Sequence, residues 1–156
     1  MPETILRLFN TTVVSLFLGS LLACNFQYIN DKATEISALS EIEQTLKVKF
    51  PSDARIVFSE EKTRQDKKSW YQREIIYSSE PIQFSRQNPG QMPAEIVIAS
   101  MNVAGIKPQG KLVDKNALFI ETQHKDTSWK VYQTQFETGS YIDVWRFKGA
   151  DVWEFN

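Results

Sequence analysis

The chain reads as an α+β protein: an antiparallel sheet, built from a hairpin and a C-terminal meander, with about two helices packed on one face. Three observations predict this. The last third carries β-prone runs joined by very short turn signals. Two stretches upstream place apolar residues at helical spacing. Between them, two β-prone runs flank a run of charge, the pattern of a hairpin with a solvated tip.

Ile36, Leu39, Ile42 and Leu46 form one apolar stripe and predict the first helix. Ser40 and Glu43 fit a capping box, which would start the regular part at Ser37 or Ser40. Phe50-Pro51 closes it, because the residue before proline is pushed out of the αR region. "RIVFS" (55–59) and "WYQREIIYS" (70–78) are the arms of the hairpin, and "EEKTRQDKK" between them holds seven charges of mixed sign. Mixed sign argues against phosphate binding and for a solvated tip.

Residues 79–93 are rich in turn formers and read as a long loop. Pro93 suits the first position of a second helix. Ile96, Ala99, Val103 and Ile106 line one side of that helix, with Val97 and Met101 beside them. Gly105 is its C′ residue, and Pro108 blocks continuation. Strands are then expected over Ala117–His124, Ser128–Thr138, Ser140–Lys148 and Asp151–Phe155. Tyr141, Trp145 and Phe147 alternate with Ile142 and Val144, so both faces of that strand are apolar. One face can meet helices. The other needs further cover from the domain or a partner.

The N-terminus has the parts of an export signal: a polar start with Arg7, an apolar core from Val13 to Leu22, and the small Ala23. A transmembrane helix needs roughly 20 apolar residues. Arg7, Asn10, Thr11 and Thr12 interrupt a stretch of that length. The junction Leu21-Leu22-Ala23-Cys24 resembles the lipobox of bacterial lipoproteins. Leu22 is larger than the residue common at that position in the family. The resemblance implies that residues 1–23 are a signal peptide and that Cys24 becomes the first residue, carrying diacylglyceryl and further fatty acyl chains such as palmitate. Residues 24–33 would be a lipidated tether and 34–156 a single α+β domain. Two or three acyl chains on one residue hold a protein on a bilayer without a spanning helix. Asn25 is not the aspartate linked in that family to inner-membrane retention. The resemblance therefore implies an outer-membrane anchor facing the periplasm, in preference to the inner membrane.

Composition excludes much else. The chain has 156 residues and a formal charge of −1, with 42% hydrophobic and 24% charged residues. That is ordinary globular composition, with no electrostatic pull towards nucleic acid. One cysteine and one histidine are too few for an intramolecular disulfide or a Cys/His zinc site. No phosphate loop, dinucleotide fingerprint, calcium loop or nucleophile elbow occurs. His124 reads as a solvated strand-end histidine. Glu60 and Glu61 would point to opposite faces of a strand and cannot act as an acid/base pair. No catalytic residue, metal or cofactor is expected.

Tyr141, Trp145, Phe147, Trp153 and Phe155 crowd the C-terminus, with Arg146 among them. They either fill the core or form a partner surface, since such residues are enriched at interface centres. The reading is a lipid-anchored, non-catalytic envelope module that binds a protein partner. The alternative is an immunity or inhibitor protein against an envelope-acting toxin or enzyme. An envelope hydrolase is disfavoured by the absent motifs.

Overall fold

A computed structural model describes residues 33–64, 68–84 and 89–149. The signal segment, the tether with Cys24 and the expected strand Asp151–Phe155 lie outside the described residues. The chain divides into two compact units, one ending at Ala38 and one beginning at Leu39. Of the first, only residues 33–38 are described, as the opening of a helix in which Ile36 is exposed.

That helix, α1, spans residues 33–46. It starts well before Ser40, so the expected capping box does not form. Ser40 Oγ instead accepts a hydrogen bond from Gln44 one turn on. Glu43 serves the other end, where its carboxylate accepts the Phe50 N–H at 2.7 Å. Lys47 ends α1 in the left-handed conformation, φ 55. The Val48 N–H then reaches back to the Glu43 carbonyl, a Schellman-type closure.

Among the described residues six strands follow: β1 (Arg55–Thr63), β2 (Trp70–Ser78), β3 (Gly90–Pro93), β4 (Asn116–His124), β5 (Thr127–Phe136) and β6 (Gly139–Lys148). All neighbours are antiparallel, in the order β1-β2-β6-β5-β4-β3. The α+β class, the hairpin and the meander are thus as expected. β3 occupies the end of the segment read as loop. A stretch of four residues with a glycine, a proline and one apolar side chain carries no strand period. Helix α2 (Ala94–Val103) follows at once, with Pro93 as its N-cap residue. Gly105 (φ 79) closes it: its N–H bonds the Asn102 carbonyl, and the Ile106 N–H bonds that of Met101. This is a full Schellman motif, as the sequence predicts.

Successive strand residues face opposite ways, so the sheet has two cores. Ile76, Val131, Ile142 and Val144 pack with Ile42 and Leu46 of α1. Ile75, Ala117, Phe136 and Tyr141 pack with Ala94, Val97 and Met101 of α2. The expectation that both helices share one face is corrected on this point. The cause is visible in β6, whose two apolar faces each need a helix. Burying one large aliphatic side chain contributes about 1.5–3 kcal/mol, so leaving either face wet would be costly.

The two tight turns rest on special backbone. Lys125 takes φ 56 between β4 and β5. Gly139 takes φ 144 after Glu137-Thr138, where an added Cβ would lie 2.5 Å from the Ser78 carbonyl oxygen. Only glycine fits there.

Candidate functional site

β2 and β6 lie side by side, and each carries one buried cation and one buried anion among apolar residues. Arg73 and Asp143 face α2. Arg73 Nε donates to Asp143 Oδ1 at 2.9 Å, and Nη2 donates to Oδ2 at 2.7 Å. The same Nη2 donates to Ser100 Oγ on α2 at 3.0 Å. The Arg73 guanidinium also lies 4.4 Å from the Trp145 ring centroid. Glu74 and Arg146 face α1. Arg146 Nη2 donates to Glu74 Oε2 at 2.8 Å, and Nη1 donates to Glu41 Oε2 at 3.0 Å. Gln72 Nε2 donates to the other Glu74 oxygen at 3.2 Å.

All four charges at the centre are buried. Burial pushes the carboxyls of Asp143 and Glu74 above their ordinary values, and the facing arginines pull only partly back. Each bridge is diagonal in the ladder. Arg73 sits opposite Trp145, and Asp143 sits opposite Ile75.

α2 lies against β3, β4 and β5. A groove of about 790 Å³ opens between it and β1, β2 and β6. Phe58, Tyr71, Arg73 and Trp145 line the sheet side of the groove, while Ile96 and Val103 line the helix side. Those two helix residues are 55% and 89% exposed. They belong to the apolar side expected of α2 with Ala99 and Ile106, whereas the helix buries Ala94, Val97 and Met101. A helix apolar on nearly every side cannot signal by period which face goes in. A smaller cavity of about 90 Å³ adjoins the groove beside α2. It is lined by Met92, Lys130, Tyr132 and Asp143, and it shares Ile96, Ser100 and Trp145 with the groove.

Ser100, Arg73 and Asp143 therefore meet beneath α2. The arrangement positions side chains and does not activate a nucleophile. A guanidinium is a donor only, and that of Arg73 donates to Ser100 Oγ, so it takes no proton from it. Both Asp143 oxygens are held by Arg73. At the groove's outer wall, Lys62 Nζ lies 2.9 Å from Glu60 Oε1 and 5.7 Å from the Tyr71 ring centroid.

The expected aromatic surface divides. Tyr141 is core, edge-on to Phe136 at 5.7 Å and to Tyr77 at 5.3 Å. Phe147 is also buried, with Lys130 Nζ 5.2 Å from its centroid. Trp145 alone of the described three is half-buried and reaches the groove. Trp153, Phe155 and the lipidation candidate Cys24 lie outside the described residues. His124 is exposed at the end of β4. Glu60 and Glu61 take opposite faces of β1, since Glu60 pairs with Arg73 and Glu61 with Gln72. The four buried charges were not anticipated. Their signal was opposite charges inside apolar strands: Arg73-Glu74 in one, Asp143 and Arg146 in the other.

Comparison of the chain with protein-family models, with curated proteins and with solved structures found no match. Among the described residues, no helix is long and apolar enough to cross a membrane.

Proposed function

We propose that the protein is a lipid-anchored, non-catalytic binding module of the cell envelope. It is attached through Cys24 to the outer membrane on its periplasmic side, and it holds a protein partner in the groove beside α2. The observation that carries the binding role is the groove itself. Its helix wall exposes Ile96 and Val103, and its floor presents Tyr71 and half-buried Trp145. Exposed apolar side chains beside aromatic and arginine groups are the composition of interface centres. The anchor rests on the lipobox resemblance at Leu21–Cys24.

A photo-reactive residue placed at Val103 should yield one discrete protein adduct in intact cells. The same residue at Val113, 57% exposed and outside the groove, should not. Equal labelling from both positions, or none from Val103, would overturn the groove as the site. An adduct with an envelope-acting toxin or enzyme would make the module an inhibitor. Mass spectrometry of the mature chain tests the anchor. Cys24→Ser should abolish acylation and cleavage before residue 24, and normal processing of that variant would refute the lipobox reading.

A further inference from the structure

The sheet has two end strands of unlike character. β3 is four residues long and contains Gly90 and Pro93, which blunt an edge. β1 runs nine residues without glycine or proline. Among the described residues, no strand pairs with its outer side. In an antiparallel ladder, every second residue of such a strand turns its N–H and C=O outward.

The charges on β1 are self-complementary about Glu61. A two-fold axis through Glu61, normal to the sheet, lays a second β1 antiparallel to the first. Glu60 then faces Lys62 of the partner subunit, and Lys62 faces Glu60 of the partner subunit. Both side chains lie on the α2 side, because their own ladder partners are Arg73 and Tyr71. Within one chain Lys62 already pairs with Glu60. The two copies therefore make a two-by-two checkerboard of charge. Ser59 meets Thr63 of the partner subunit, and Phe58 meets Arg64 of the partner subunit. Moving the axis to residue 60 stacks glutamate on glutamate within the checkerboard row. Moving it to residue 62 stacks lysine on lysine. The favoured register keeps one repulsion, Glu61 against its own copy on the other face.

We propose that β1 is a self-association edge. A second copy of this chain pairs with it about Glu61, joining six strands from each copy into one antiparallel sheet. The ladder runs along the edge of the sheet, although Glu60 and Lys62 also form the groove's outer wall, so the two proposals are told apart by their tests.

Cysteine trapping of the full chain in membranes tests the register. On the axis, Glu61→Cys faces itself at a separation a disulfide can span. It should form a covalent dimer under mild oxidation. The unsubstituted chain, which retains Cys24, and Val113→Cys should not. Sedimentation of the detergent-solubilised chain tests the charges. Lys62→Glu should weaken self-association about tenfold, as two cross-strand attractions become repulsions. Glu60→Lys combined with Lys62→Glu should restore it, and Glu61→Gln should tighten it. A wild-type chain that stays monomeric at every concentration overturns the proposal. So does Glu61→Cys trapping no better than Val113→Cys, or a double reversal that fails to restore. Glu61→Gln is a mild exposed change that guards against a folding artefact. Val103 labelling is unaffected by any of these results, so the two proposals fail separately.

Discussion

Glu74 carries a carboxylate in the middle of an apolar strand, flanked by Arg73 and Ile75 and held by Arg146 and Gln72. Burial raises its pKa above the ordinary 4.5, and the Arg146 charge opposes that shift without cancelling it. The folded state thus holds the Glu74 proton more tightly than the unfolded state does. Its contribution to stability is full below pH 4.5 and is lost as pH rises through the folded value. Denaturant unfolding of wild type and Glu74→Gln across the acid range isolates this group. The stability of wild type relative to the variant should fall as pH rises above 4.5. A difference that rises instead would mean that the Arg146 charge outweighs burial. The exposed carboxylates of Asp53 and Asp126 run the other way, lowered by hydrogen bonds from Ser79 and Lys148 respectively. They are common to both proteins and cancel in the difference.

At the scale of elements, the two ion pairs act on register more than on stability. A buried pair roughly breaks even against apolar residues of the same size. A one-residue slip of β2 against β6, however, would turn Arg73 to the face of Arg146 and Glu74 to that of Asp143, leaving like charges together. Helix ends show what sequence could and could not announce. Gly105 was legible because glycine at C′ before an apolar residue has few other uses. The end of α1 was not legible, because Lys47 fills the same left-handed position with a side chain that disfavours it. Replacing Lys47 with glycine should relieve that strain. Partly offset by glycine's greater unfolded-state freedom, the gain is about 0.5–1 kcal/mol, read as an upward shift in denaturation midpoint. A loss of stability would show that the Lys47 side chain contributes more than its backbone strain costs. β3 stayed hidden for a different reason. Its pairing of Gly90–Pro93 with Asn116–Phe119 is tertiary, with α2 in between, and no local pattern encodes it.

For the whole molecule, the meander could be read because β4, β5 and β6 are joined by two-residue turns, and short turns dictate neighbours. The pairing of β2 with β6 could not, since it joins Arg73 to Asp143 across 70 residues of sequence. That long-range seam places β2 and β6 in the interior of the sheet, beside β5 and β4, and holds the buried charges on both its faces. Loop closure must come first, so the seam is the last part that partial opening can expose without losing the whole fold. Native-state hydrogen exchange should therefore rank the strands. Amides from Tyr141 to Val144 on β6, bonded on both sides and covered by α1 and α2, should exchange only through global unfolding. Amides of β3, held by four residue pairs at one edge, should exchange through a local opening of much lower free energy. Residues of β1 bonded to β2 should fall between, and α2 should open together with β3, to which it is directly joined. If β6 exchanged as readily as β3, the seam would be no more stable than the edge, and the burial of β6 between two helices and two strands would not set the order of opening.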